Sequence, residues 1–343
     1  MKNFICLLIL FALHLTASGN TLHTPLSKIT TDTIPDSTSQ GDYMGYPALL
    51  TFMERMQSTH SFGKAYLQNI FSPVKRDKRI LEKVNNPAEG LLWKDYRQIF
   101  LTENRIDNGV DFWIANDSTL ARAENEYGVA AKYIVAILGV ETAYGRNTGS
   151  FKVLQSLTTL AMDYPKRSRF YLRELEEFLL LAREENLPAD TLKGSYAGAM
   201  GMAQFIASSY RFYAVDFNND GQRNLWQPAD AIASVANYLA RHGWQAGQPV
   251  AAAAETTGNQ FYTMTDTVAR KPRYTLGQFA LAGAKPASNF TASTVNLIKL
   301  TGTDNTEYWF TATNFYVITR YNHSHKYAMA VYQLAEAISK KRP

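Results

Sequence analysis

The chain has 343 residues, 46% apolar and 19% charged, a balance that excludes an intrinsically disordered protein and suggests two domains or one with insertions. The formal net charge is +5, or +4 without Lys2, which suits an anionic partner as well as it suits ordinary solubility. There is no dense Lys or Arg run to support nucleic-acid binding.

In chain order, Lys2 precedes ten apolar residues, 4–13, and Ala17, Ser18 and Gly19 are as small as a signal-peptidase site requires. Ten apolar residues are too few to span a bilayer, so residues 1–19 read as an export signal cleaved near Gly19, with a signal anchor as the alternative. The only cysteine, Cys6, falls inside this stretch, too early for a lipid-attachment site, and a processed chain would have no thiol or disulfide. Residues 20–44, rich in Thr and Ser with Pro25 and Pro35, read as a flexible linker.

Helical spacing begins with Leu49, Phe52, Met53 and Met56, and a later helix has Asp117 or Ser118 as its cap and Gly128 as its stop. A helical domain over residues 45–128 follows. Residues 129–249 continue in this style and form the expected core. Here the apolar run Ile134, Val135, Ala136, Ile137, Leu138 and Val140 leads into Glu141, with Tyr144 and Gly145 as a stop signal. A carboxylate at this end faces the negative pole of the helix dipole, and burial disfavours its charge, so both effects would raise its pKa. That suits a general acid. A glutamate that snorkels to solvent or pairs with Arg146 fits the local pattern equally well.

The segment KGSYAGAMGMAQF, residues 193–205, has three glycines before Gln204. Glycine allows close backbone approach, so the segment can line a groove, although a tight helix connection explains the composition too. It is neither a phosphate loop nor a dinucleotide fingerprint. Asp216, Asn218, Asp220 and Gly221 then take positions one, three, five and six of an EF-hand loop, but position twelve is Gln227 rather than glutamate. Asp230 can supply the missing carboxylate if the loop is long, extending it over 216–230. An Asx-rich turn without metal is the alternative.

Residues 250–273 read as a helical or connecting segment. Residues 274–320, with β-branched and aromatic runs at 295–300 and 307–319 and a turn-like break at 301–305, read as a small β domain. The aromatic residues there, with Tyr321, can pack or stack on sugar rings. A C-terminal helix over 321–343 returns to the core. His323 and His325 lie two apart with nothing to complete a zinc set, so a polar loop is the reading there. No serine lies in a nucleophile elbow.

Taken together, GVETAYGR, TTLAMDYPKR, KGSYAGAMGMAQF, SSYRFYAVDFNNDGQRNLWQPADAI, SVANYLARHGW, NFYVITRYNHS and YAMAVYQLAEA resemble the membrane-bound lytic transglycosylase B family, enzymes that cleave the glycan strands of peptidoglycan. The likeness runs from about Tyr46 to the C-terminus. It implies a mainly α, α+β fold: a lysozyme-like helical core with a helical N-terminal domain and a small β insertion near the C-terminus. It implies that Glu141 is the single acid, then base, in cleaving the MurNAc-GlcNAc bond with a 1,6-anhydro product, unlike the two-carboxylate glycosidases.

By the same resemblance, Ser195 lies near the glutamate, Gln204 in the glycan groove, Tyr238 on the helix after the cation loop, and Tyr321 with Asn322 on the return from the β domain. Arg167 would meet the muramyl peptide or its carboxylate. Asp216, Asn218, Asp220, the Gln222 carbonyl and Asp230 would hold a structural Ca2+, and no organic cofactor is implied. The expected partner is the glycan strand of peptidoglycan, not nucleic acid, with cell-wall synthesis or division proteins as further candidates and a monomer as the oligomeric state. Ala143, Tyr144, Met202, Ala203 and Lys166 depart from the family pattern, which bears on saccharide preference. The missing lipid-attachment cysteine points to a soluble periplasmic member. A hydrolytic muramidase, with Asp163 the nearest second carboxylate, and a non-catalytic peptidoglycan-binding scaffold are the alternatives.

Overall fold

The computed structural model describes residues 41–343 except residues 87, 303 and 304. The expected export signal over 1–19, Cys6 and most of the linker over 20–44 lie outside the described residues. Among those described there are fourteen α-helices, and none is long and apolar enough to cross a membrane.

Two compact units are present. In the first, described over 41–76, the helices Pro47–His60 and Lys64–Phe71 bury Leu49, Phe52, Met53, Met56, Leu67, Ile70 and Phe71. Phe52 and Phe71 meet edge to face with centroids 6.1 Å apart. The ends of this unit are closed by the Arg76 N–H, which donates to Asp42 Oδ2 at 2.7 Å.

The second unit, residues 77–343, is built around the helix Ala131–Thr142, in which every residue from Tyr133 onward is buried. A helix apolar on all faces has to be wrapped on all faces. It is enclosed by Glu103–Ala115, Asp117–Tyr127, Pro228–Arg241 and the C-terminal helix His325–Lys341. In the same unit Val153–Asp163 pairs with Ser168–Glu184, and the short helix Ala207–Tyr213 packs on the latter. Helix Asp117–Tyr127 stops at Gly128 in the left-handed region as expected, whereas its N-cap is Asn116, one residue before the expected cap.

A five-stranded sheet takes the order 265–266, 296–301, 306–311, 251–256, 284–286, antiparallel except for the first pair. It carries its own core of Phe261, Phe279, Leu297 and Phe310. Two segments differ from expectation. Ala251–Thr256, in a stretch read as helical or connecting, is an inner strand. Alanine is a strong helix former, but its preference is worth less than about 1 kcal/mol per residue, and pairing with strands on both sides satisfies this backbone instead. Conversely Thr313–Tyr321, read as β, is a helix. Its β-branched content masked a helical spacing of buried Asn314, Phe315, Ile318 and Tyr321, which face other helices.

Candidate active site

Glu141 is the penultimate residue of Ala131–Thr142 and is only 5% exposed, so it does not snorkel to solvent. Its Oε1 accepts a hydrogen bond from the Tyr327 hydroxyl at 2.6 Å. Tyr327 lies on the first turn of the C-terminal helix, where Ser324 caps its N–H at 3.3 Å. The Tyr321 and Tyr327 rings stack with centroids 6.4 Å apart. Burial, and then the nearby Glu141 carboxylate, hold both phenols well above their ordinary value of 10. Tyr327 therefore keeps its proton and acts as a fixed donor to the carboxylate.

The turn after Glu141 is strained. Ala143 and Tyr144 both have positive φ, 52° and 63°, a conformation costing on the order of 1–3 kcal/mol for a non-glycine residue. The surroundings hold it. The Tyr144 hydroxyl donates to the Arg105 carbonyl at 2.8 Å, and the Arg105 guanidinium bonds the Gly139 carbonyl. Gly109 and Gly139 clear the slot for this ring, since a Cβ on either would lie 2.5 and 2.6 Å, respectively, from the Tyr144 hydroxyl oxygen. The Thr142 hydroxyl accepts from the Gly145 N–H at 2.9 Å and reaches the Met202 carbonyl at 3.0 Å.

The glycine-rich segment is thereby drawn against the Glu141 helix end. Ser195 Oγ accepts the Ala199 and Ala197 N–H groups at 3.0 and 3.3 Å, which closes a tight turn. Gly149 passes so close to Gly194 that a Cβ would lie 2.1 Å from its carbonyl carbon. Gln204, in the left-handed region, donates to the Thr148 and Gly201 carbonyls at 3.1 and 2.8 Å. The segment is thus a tight connection, held to the end of the Glu141 helix through Thr142 and Met202.

Tyr321 is bonded to this segment, and Tyr238 packs on Tyr321. The Tyr321 hydroxyl donates to the Ala203 carbonyl at 2.6 Å and the Tyr238 hydroxyl to the Arg320 carbonyl at 2.6 Å. Their rings meet edge to face at 4.8 Å, and each residue is 2% exposed. This geometry makes them supports and leaves their faces unavailable for stacking on a sugar. Asn322, also buried, is adjacent. Arg167 ends the short turn Pro165–Arg167 that follows the helix Val153–Asp163. Its guanidinium lies 4.0 Å from the Phe170 ring centroid.

The loop 216–230 is wound as an EF-hand loop is. Asp216 accepts the Asp220 and Gly221 N–H groups at 3.1 and 2.9 Å, and Asp220 accepts that of Gln222 at 3.0 Å. The Asn218 amide lies 2.8 Å from Asp220 Oδ2 and 2.7 Å from Gln227 Oε1, so these side-chain heads converge. Asp230 is fully buried and ties both arms of the loop, accepting from the Phe217 and Asn224 N–H groups at 2.8 and 2.7 Å. Burial raises its carboxyl above the ordinary aspartate value, against the pull of those N–H groups.

Among the described residues no three His, Cys, Asp or Glu side chains form a metal cluster by themselves. A cation here would need the neutral Asn218 and Gln222 oxygens as well. An all-oxygen set of that kind fits a hard ion such as Ca2+. His323 and His325 begin the return to the C-terminal helix, and burial lowers both imidazoles, that of His323 to about 4.

Sequence reasoning missed Tyr327, Thr142, Arg105 and Gly109. Tyr327 and Thr142 lie inside the recognisable motifs, but nothing local marks a tyrosine 186 positions away as the partner of Glu141.

A buried carboxylate at a helix end, packed near a glycine-rich segment in a helical core, is the arrangement of a lysozyme-like enzyme. Residues 46–336 match the family model described as the transglycosylase SLT domain, and the chain belongs to that family. It is a lytic transglycosylase, an enzyme that cleaves peptidoglycan. It is 41% identical over 317 residues to the membrane-bound lytic murein transglycosylase B of Escherichia coli K12, covering 88% of this chain and 85% of that one. The soluble lytic transglycosylase SltB1 from Pseudomonas aeruginosa is similar in structure, with a TM-score of 0.80 at 46% identity over 86% of this chain and 99% of that one. The Escherichia coli lytic transglycosylase SLT35 in complex with calcium gives a TM-score of 0.82 at 41% identity, over 89% and 97% of the two chains.

Proposed function

We propose that Glu141 is the single acid and base of a reaction that cleaves the bond between N-acetylmuramic acid and N-acetylglucosamine and leaves a 1,6-anhydro end. The observation that carries this reading is the buried Glu141 carboxylate held by the Tyr327 hydroxyl at 2.6 Å. Oε1 accepts the hydrogen bond of the Tyr327 hydroxyl, so the proton that Glu141 delivers sits on Oε2. It passes to the glycosidic oxygen as the C1–O bond breaks, while the muramyl acetamido group supports the charge at C1. The resulting carboxylate takes the C6 hydroxyl proton as that oxygen attacks C1. Glu141 ends as it began, and no water is consumed. An enclosed hydroxyl beside C1 has the advantage of an intramolecular reaction.

Ser195 and Gln204 shape the wall against the reacting sugars, Tyr238, Tyr321 and Asn322 back it, and Arg167 meets the anionic muramyl peptide. Asp216, Asn218, Asp220, the Gln222 carbonyl and Asp230 would hold a calcium ion, whose contribution is charge neutralisation that fixes the loop. The protein acts as a soluble periplasmic monomer on glycan strands, with cell-wall synthesis or division proteins as candidate partners.

The test is digestion of purified peptidoglycan by the wild type and Glu141→Gln, read by mass spectrometry. Muropeptides one water lighter than hydrolysed ones, absent with the variant, are the expected result. Reducing ends would make the enzyme a muramidase, and retained activity in the variant would remove Glu141 from its role.

A further inference from the structure

The loop 216–230 and Glu141 are far apart in sequence, yet a short line of hydrogen bonds joins them. Asp230 accepts the Asn224 N–H at 2.7 Å, and Asn224 Oδ1 accepts the Trp226 N–H at 3.0 Å, so Leu225 is clamped between two fixed neighbours. The Leu225 N–H donates to the Tyr210 hydroxyl oxygen at 3.1 Å. Its carbonyl accepts the Met202 N–H at 2.7 Å. Gly201 makes this approach possible, because a Cβ there would lie 2.4 Å from Leu225 Cβ. The Met202 carbonyl in turn accepts from Thr142 Oγ1 at 3.0 Å, with the Leu138 carbonyl at 3.2 Å as the alternative acceptor for the same proton. That hydroxyl oxygen receives the Gly145 N–H at 2.9 Å, across the strained pair Ala143 and Tyr144.

We propose that Thr142 is a positioning residue for Glu141, and that the 216–230 loop sets the placement of the Glu141 helix end through the line Leu225, Met202, Thr142. This rests on the reading of Glu141 as the catalytic group. Thr142 follows Glu141 directly, so its hydroxyl fixes the backbone that carries the carboxylate. Two residues, Leu225 and Met202, transmit the state of the loop, because each is held at both its N–H and its carbonyl. A misplacement of about 1 Å at such a site costs on the order of a hundredfold in rate. Binding a cation that orders the loop therefore acts on the turn after Glu141 as well as on overall stability.

The experiment compares the full chain with Thr142→Val, which keeps the shape and removes the hydroxyl, with Thr142→Ser, which restores it, and with Glu141→Gln. Turnover on soluble glycan strands is measured beside amide hydrogen exchange in excess calcium chloride and in chelator. Thr142→Val is expected to lose roughly tenfold or more in kcat with KM within about twofold, and Thr142→Ser to regain most of it. Calcium is expected to slow exchange of the Met202 and Gly145 amides by about tenfold in the wild type. In Thr142→Val the slowing persists at Met202 and disappears at Gly145. Unchanged kcat in Thr142→Val, or a Gly145 amide indifferent to calcium in the wild type, overturns the proposal while an inactive Glu141→Gln leaves the catalytic reading standing. Full activity in Glu141→Gln overturns both.

Discussion

Glu141 depends on two tyrosines that act in different ways. Tyr327 donates directly to its Oε1, and removing that hydroxyl leaves a buried carboxylate oxygen without its donor. Tyr327→Phe is expected to lower turnover about tenfold or more and to cost about 1–3 kcal/mol of stability, as read by muropeptide release and urea unfolding. Tyr144 works through the backbone, wedged where Gly109 and Gly139 leave room. Gly139→Ala places a methyl 2.6 Å from its hydroxyl oxygen inside a packed helix. Overpacking of this kind costs roughly 1–3 kcal/mol, so a drop of that size in urea unfolding, with lost activity, is expected. An unchanged unfolding midpoint would show that the slot relaxes freely.

Among the elements, the 216–230 loop and the sheet carry the clearest consequences. The loop presents oxygen donors drawn together by its own backbone, and extracellular sites of this kind bind calcium with Kd around 10⁻⁴ to 10⁻³ M. At about 10 mM calcium the bound ion then adds roughly 1.5–3 kcal/mol, raising Tm by roughly 5 °C over the chelated protein. Calorimetry with and without chelator checks this, and identical melting curves would remove calcium from the loop. Its EF-hand character was legible at Asp216, Asn218, Asp220 and Gly221, because that winding is dictated locally. The two misread elements show the opposite case. Whether Ala251–Thr256 is a strand depends on the strands at 306–311 and 284–286 beside it, and whether Thr313–Tyr321 is a helix depends on the helices it faces. Alanine and β-branched residues tilt those choices only weakly.

On the scale of the whole molecule, acid acts through groups the fold has withdrawn wholly or partly from water. His323 titrates near 4 in the folded chain and near 6.5 unfolded, so between those values the unfolded state binds the extra proton. Stability is therefore complete above about pH 6.5 and lost as pH falls toward 4, by roughly 1–2 kcal/mol from this residue once solvent screening is allowed for. Glu174, whose carboxyl burial pushes upward, works in the opposite direction. The comparison that isolates His323 is wild type against His323→Gln, unfolded in urea at pH 7 and pH 4.5. The variant is expected to lose less stability between the two, and equal losses would exclude the imidazole as the cause.

The sequence by itself determined the family, the mainly helical class, the apolar helix ending in Glu141 and the oxygen pattern of the 216–230 loop. Each of these is written in a contiguous segment, where spacing and side-chain chemistry act over a few residues. Only the tertiary structure decided that Tyr327 meets Glu141, that Tyr238 and Tyr321 are buried against each other, and that Leu225 and Met202 join the 216–230 loop to Thr142. Those partners are brought together by burial of the central helix on every face, and no local pattern encodes which residue then arrives beside the carboxylate.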